Sequence, residues 1–189
     1  MGKRIFDFLV AAVCLVVIAP FVPCIALWIK ATSPGPVIFR QVRIGYHGAR
    51  FVLFKFRTME DEEWCPFAMV MPGDTRVTTP GRFLRKTHMD ELPQLVNVLL
   101  GQMSLIGPRP LQEEVIQRCV QELPAYERRL EVHPGMTGLV QIRGRMWLVK
   151  RGTRCGLRLD LFYVKHHCLW LDLYILYRTV LAVLRCEGV

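Results

Sequence analysis

From Ile5 to Ile29 the chain runs for 25 residues with one charge, Asp7, and cations sit at both ends, Lys3-Arg4 before it and Lys30 after it. About 20 apolar residues suffice to cross a bilayer. The length of the stretch and the lack of a small-x-small cleavage site argue against a removable signal peptide. Pro20 and Pro23 fall inside the segment, where each removes a backbone hydrogen bond and bends a helix. Flanking cations at both ends give the positive-inside rule no preference. Two arrangements follow: a kinked helix that spans, or one that enters, breaks near Pro20 and returns to the same face, its freed carbonyls satisfied within the protein. Beyond Ser33-Pro34-Gly35-Pro36, a tight exit, the runs Val37 to Arg43 and Phe51 to Met59 flank the turn Gly45-Tyr46-His47-Gly48. Two β-branched and aromatic runs around such a turn predict a hairpin.

The pattern then shifts to helical spacing. Leu95, Val96, Val98, Leu99 and Leu100 form an apolar run stopped by Gly101 and preceded by Asp90-Glu91-Leu92-Pro93. Proline is tolerated in the first turn of a helix, which sets the two carboxylates at or just before its start; Gly101 is a C-cap. Leu111, Val115, Ile116, Cys119 and Leu123 recur as core contacts of another helix before Pro124. Ala125 to Val132 predicts a charged, exposed helix, ending at Pro134-Gly135-Met136-Thr137-Gly138. In Leu169 to Arg185, positions Leu169, Leu173, Leu176, Val180 and Leu184 share a face, with Trp170, Tyr174 and Tyr177 beside it. That arc fits a helix at a membrane interface or in a core. The fold class expected is α+β and mostly helical, with one short hairpin and no internal repeat.

Charge adds candidate chemistry. The 189 residues are 52% hydrophobic and carry a formal net charge of +9, a combination that points to a membrane surface or an anionic substrate. Nucleic acid is not expected, since no recognition motif accompanies the charge and the apolar N-terminus would be unexplained. The seven cysteines, Cys14, Cys24, Cys65, Cys119, Cys155, Cys168 and Cys186, include no C-x-x-C pair and read as reduced thiols. His166-His167 beside Cys168 reads as a solvated or interfacial pair, and Glu60 to Glu63 as a solvated loop.

Asp90 and Glu91 carry two readings. Acidic residues are common as caps at helix starts. Alternatively, the positive helix end keeps Asp90 ionised and attracts phosphate. Neighbours on a helix point about 100° apart, so one carboxylate can attack while the other holds a metal. A glycoside hydrolase is excluded, because its carboxylates face each other across a bond at about 5 Å or more. Lys55 and Arg57 share a strand face, as solvated cations or as a phosphate clamp. Arg109, between Pro108 and Pro110, is either part of a rigid turn or a guanidinium fixed where a phosphate must arrive.

Taken together, Lys3-Arg4-Ile5-Phe6-Asp7, Ser33-Pro34-Gly35-Pro36-Val37, Gln41-Val42-Arg43-Ile44-Gly45, Lys55-Phe56-Arg57-Thr58-Met59, Asp90-Glu91-Leu92-Pro93-Gln94, Gly107-Pro108-Arg109-Pro110, Pro134-Gly135-Met136-Thr137-Gly138 and Leu169-Trp170-Leu171-Asp172 resemble the successive motifs of the bacterial sugar transferases, the small monotopic phosphoglycosyl transferases. The resemblance runs nearly end to end. It implies transfer of sugar 1-phosphate from a UDP-sugar to a polyprenol phosphate such as undecaprenyl phosphate, with UMP released. Asp90 matches the family's nucleophile and Glu91 its partner at a Mg2+ site, both counted as metal ligands. Arg85 and Arg109 match phosphate-binding arginines, and Lys55, Arg57, Arg143 and Arg145 complete the expected substrate-binding set. The resemblance also implies a re-entrant membrane helix over residues 1–32, broken at Pro20 and Pro23, and a catalytic domain with interfacial helices over 33–189, on the cytoplasmic face of the bacterial inner membrane. Partners implied are the two substrates and membrane lipids, with a second copy of the chain and downstream glycosyltransferases as further candidates. Two departures stand out: Ala19 replaces the usual serine before the break and Pro23 is an extra proline within it, and Trp147 to Arg158, often acidic in the family, is basic and glycine-containing here. The rival reading is a catalytically silent membrane-anchored scaffold or lipid-phosphate-binding module, whose signature would be loss of Asp90, Glu91 or the Arg109 turn.

Overall fold

The structure, a computed structural model, describes residues 2–60 and 74–185, without the side chain of Arg145; most of the acidic run after Glu60, with Cys65 and Cys186, lies outside the described residues. The apolar N-terminal segment forms α1 (Gly2–Ile18) and α2 (Val22–Thr32), separated by the 3-10 turn Ala19–Phe21. Pro20 sits in that turn and Pro23 in the first turn of α2, where a missing N–H is tolerated. Together they are long and apolar enough to cross a membrane.

The predicted hairpin is present as β1 (Ile38–Ile44) antiparallel to β2 (Arg50–Phe56), in a register that sets Ile44 opposite Arg50. Helices α3 (Thr79–Lys86) and α4 (Gln94–Leu99) follow, α4 ending where Gly101 turns left-handed at φ 85°. After β3 (Ser104–Ile106) and α5 (Glu113–Glu122), the 3-10 segment Pro124–Glu131 leads to β4 (Gly135–Thr137), which pairs in parallel with β3. Two long helices close the chain, α6 (Arg145–His166), kinked at Gly152, and α7 (Leu169–Leu184). The chain is therefore a mostly helical α+β protein with two small two-stranded sheets.

The main core gathers Phe51 and Leu53 of β2, Leu95 and Val98 of α4, Leu105 and Ile106 of β3, Tyr163 of α6 and Ile175 of α7. Each such side chain contributes about 1.5–3 kcal/mol when fully buried. A second cluster joins Ile25 and Ile29 of α2 to Phe56 and Leu84. Helices α1 and α7 each bury one carboxylate and leave large apolar side chains open. Asp7 is 1% exposed, while Val16 and Val17 on the same helix lie open. Likewise Asp172 and Ile175 face inward and Trp170 is 81% exposed.

The charges of α1 are all spent on the rest of the protein. Lys3 Nζ donates to Asp172 Oδ2 at 2.7 Å, and Arg4 donates to the carbonyls of Val98 and Met103. Asp7 accepts from Ser104 Oγ and from the Leu105 amide. The segment Pro124–Glu131 departs from its expected exposure: Tyr126 and Arg129 are buried, because Arg129 finds a carboxylate inside, Asp160 of α6, at 2.9 Å.

Candidate active site

The site is assembled at the end of β2. Thr58 is buried, and its carbonyl accepts from the Thr78 amide. Thr78 in turn caps α3, its Oγ1 accepting from the Gly81 amide at 3.0 Å. A Cβ at position 81 would lie 2.1 Å from Thr58 O, so only glycine lets α3 approach so closely. This contact brings Arg85 back over the strand, where its Nε donates to Thr58 Oγ1 at 2.8 Å. The chain then reverses at His88, which is left-handed at φ 57°, and Asp90 and Glu91 occupy the 3-10 turn Met89–Glu91 ahead of α4.

Arg109 arrives from the other side. Its segment is held by two backbone bonds between the β3 and β4 strands' ends, Gly107 N to Thr137 O at 2.8 Å and Gly135 N to Pro108 O at 2.9 Å. Buried Arg129 donates to the Arg109 carbonyl at 2.9 Å while paired with Asp160. The Arg109 guanidinium, 50% exposed, donates to Glu91 Oε1 at 2.5 Å.

Burial, then the neighbouring Glu91 charge, pushes the Asp90 carboxyl up to about 6, against the pull of Arg85, Lys55 and Arg109. This differs from the expectation that a helix dipole holds Asp90 firmly ionised. The dyad lies in a 3-10 turn before a six-residue helix, and a dipole effect is confined to the first turn. Burial works to raise Glu91 as well, but the charge and hydrogen bond of Arg109 outweigh it and Glu91 stays low. The carboxylates are thereby set apart: Glu91 is committed to Arg109, while Asp90 takes no hydrogen bond from the described residues. A side-chain cap on α4 is also missing, Pro93 being its N-cap residue.

Of the sequence candidates, Asp90, Glu91, Lys55, Arg85 and Arg109 converge, since all five interact electrostatically around the dyad. Lys55 Nζ also lies 4.5 Å from the centre of the Phe39 ring. Arg57 is placed elsewhere: it is 6% exposed and donates to Pro34 O, Ser33 O and Ser33 Oγ. Arg143 is exposed in the turn Gln141–Arg143, and its side chain makes no hydrogen bond or ion pair with the described residues; the Arg145 side chain is not among those described. Pro20 and Pro23 mark the helix interruption.

Sequence reasoning passed over Arg43. Half-buried near the end of β1 beside Arg109 and Glu91, it has its pKa lowered to about 10, first by desolvation and then by Arg109. Its guanidinium donates to Gln41 Oε1, and its Nε is buried with no partner among the described residues. The only signal was its position in the Gln41-Val42-Arg43 run. Among the described residues no group of three or more His, Cys, Asp or Glu gathers as a metal cluster. The dyad alone offers two hard oxygen donors, which suits an ion such as Mg2+ that is held through one or two carboxylates plus substrate phosphates.

A carboxylate pair set among cations, beside a long apolar helix, is suited to a phosphorylated substrate at a membrane. The chain belongs to the bacterial sugar transferase family, which it matches over residues 1–186. It is 43% identical over 195 residues to a UDP-glucose:undecaprenyl-phosphate glucose-1-phosphate transferase of Caulobacter vibrioides, covering 100% of this chain and 72% of the relative. It is 39% identical over 196 residues to the exopolysaccharide production protein PSS of Rhizobium leguminosarum bv. phaseoli, covering 96% and 94%. It is likewise 39% identical over 187 residues to a UDP-N-acetylgalactosamine-undecaprenyl-phosphate N-acetylgalactosaminephosphotransferase of Aeromonas hydrophila, covering 98% of this chain and 44% of that longer protein.

Proposed function

We propose that the protein transfers sugar 1-phosphate from a UDP-sugar to a polyprenol phosphate through a covalent aspartyl intermediate. The observation that carries this reading is the charge arrangement at the dyad. Arg43, Lys55, Arg85 and Arg109 surround Asp90 and Glu91, four cations against two carboxylates. The surplus of two positive charges balances a diphosphate.

In this mechanism an Asp90 oxygen attacks the β-phosphorus of the donor. The bond from that phosphorus to the bridging oxygen breaks, and UMP leaves with the electron pair. The phosphate oxygen of the polyprenol phosphate then attacks the aspartyl-bound phosphorus, forming the lipid diphosphosugar and freeing Asp90. No general base is needed for either step, since both nucleophiles are anions. Arg109, its backbone fixed by Arg129 and its guanidinium steadied by Glu91, offers two-pronged donors to the phosphoryl oxygens. Lys55 and Arg85 favour the ionised form of Asp90. Asp90 and Glu91 are the residues that would hold Mg2+, which when bound offsets charge on the phosphoryl oxygens.

The same reading takes residues 1–32 as a re-entrant membrane segment and 33–189 as the catalytic domain, on the cytoplasmic face of the inner membrane. Supporting it, both ends of the segment are tied to one body: Lys3, Arg4 and Asp7 to Asp172, Met103 and Ser104 at one end, and Ser33 and Pro34 to Arg57 at the other. A straight spanning helix of this length, about 1.5 Å per residue, would carry one end across the bilayer and away from its partners. Protease access to an N-terminal tag in intact cells tests this; exposure of the tag outside would sink re-entry.

The deciding assay supplies purified protein with Mg2+, undecaprenyl phosphate and a panel of UDP-sugars that includes UDP-glucose and UDP-N-acetylgalactosamine, and measures UMP. Without the lipid, one sugar-phosphate mass should appear on the peptide containing Asp90. No UMP from any sugar would favour the scaffold reading.

A further inference from the structure

Strand β1 pairs with β2 along one edge only. On its other edge Ile44 makes a single antiparallel bridge with Leu111, and the chain then diverges into α5. Between β1 and the start of α5 this leaves a cleft of about 340 Å3, within the size range of small-molecule sites. Gln112 lines it, 7% exposed, with its amide oxygen buried and unpartnered among the described residues. It stands at the N-cap of α5 yet makes no capping bond. A buried amide oxygen left without a partner is costly to hold in a fold, and a ligand that donates to it would remove that cost.

One wall of the cleft is linked to the arginines at the dyad. Gln41 lines it and accepts from Arg43, which neighbours Arg109 and Glu91. Gln112 itself is three residues beyond Arg109. Two residues of strand, about 7 Å, therefore separate Arg43, one of the four cations around the dyad, from Gln41 on the wall of the cleft. Phe39 and Val42 supply apolar surface; Arg40 lines the strand side and Glu113 and Glu114 the start of α5, so the cleft has no surplus of positive charge to draw a phosphate away from the arginines at the dyad.

We infer that this cleft receives the pyrimidine base of the sugar nucleotide, with the Gln112 amide pairing to the imide edge of uracil. The inference rests on the transferase reading above and adds the part of the donor that the dyad does not touch. A side-chain amide presents one acceptor and one donor together, the complement of a ring N–H beside a C=O. The acetamido group of an N-acetylated sugar offers the same pair, so the test separates the two sources.

Binding of UDP, CDP, UDP-glucose and UDP-N-acetylgalactosamine to the purified full chain is measured by calorimetry. Cytosine has an acceptor where uracil has the N–H and would meet Gln112 Oε1, the buried atom of the amide, acceptor to acceptor; with the amide held in that orientation the wild type should favour UDP over CDP by about tenfold or more. Gln112→Leu nearly keeps the volume and removes the unpartnered oxygen, so its melting temperature should equal or exceed that of the wild type. It should bind UDP and UDP-glucose about tenfold more weakly, by the same factor, and lose the preference over CDP. Val42→Trp, from a half-exposed position, should fill the cleft and weaken UDP as well. Unchanged UDP binding in both variants overturns the inference, as does a loss confined to UDP-N-acetylgalactosamine, which would put the sugar in the cleft. A wild type that binds no uridine nucleotide overturns the transferase reading and the subsite with it.

Discussion

Arg57 and Arg109 begin as equals in the sequence, each a candidate phosphate grip, yet the fold gives them opposite employment. Arg57 is sealed at the exit of α2, where three oxygens of Ser33 and Pro34 accept its hydrogen bonds. Room for it exists because residue 35 is glycine; a Cβ there would lie 2.1 Å from Nη1. Arg109 is half exposed, and its partner is a carboxylate that belongs to the site itself. A buried arginine surrounded by neutral carbonyls closes a chain junction. One that faces solvent across a single carboxylate can exchange that partner for a phosphate.

The strongest test of the open site is Asp90→Asn. Asparagine caps as well as aspartate, but an amide cannot attack phosphorus, so UMP release should fall by about 10³-fold or more with the circular dichroism spectrum unchanged. Next comes the arginine pair itself. Arg109→Lys keeps the charge and loses the planar fork; turnover should drop about 100-fold while the melting temperature holds. Arg57→Ala should invert this pattern, costing about 3 kcal/mol in denaturant unfolding through unsatisfied buried carbonyls, with the folded fraction still active. Equal effects of the two substitutions on activity would erase the distinction drawn between them.

A smaller effect is expected from pH. With Asp90 at about 6, kcat/KM should rise as pH increases through 6 and level off above 7, because the ionised form attacks. The stability sign is opposite. A carboxyl whose pKa is raised on folding binds its proton more tightly in the folded state, so the stability it contributes is present below about pH 4 and lost as pH rises through about 6. Asp90→Asn should therefore melt higher than the wild type at pH 8, the gap closing toward pH 4. Smallest of all, Lys55→Met removes one of the charges that lower Asp90. The acidic limb of the pH profile should move upward by less than one unit.

Long patterns were legible. The apolar run of α1 and α2, the hairpin around Gly45 to Gly48 and the arc of α7 all follow from periodicity sustained over many residues. The interfacial reading of α7 gains from the exposure of Trp170 and Tyr177, whose side chains a core helix would have covered. The parallel pair of β3 and β4 could not be seen, because each strand has three residues and the partners are joined only by tertiary contact. The charged stretch around Arg129 misled for a different reason. In sequence an arginine reads as solvated, and only the arrival of Asp160, 31 residues later, makes its burial tolerable. At the site, Asp90, Glu91 and Arg109 stand out through proline spacing, whereas Arg43 is recognised only when the hairpin brings it to Glu91.

The contacts of α1 also bear on the order in which the protein is made. Lys3 pairs with Asp172 and Asp7 with Ser104, partners 169 and 97 residues further along the chain. When α1 leaves the ribosome, neither partner has been synthesised. Arg4 and Asp7 must wait for residues 98–105 and Lys3 for α7, so complete docking of α1 is among the last events of folding. A ribosome stalled before residue 172 should therefore hold an N-terminus that remains open to protease, and release of the finished chain should close it.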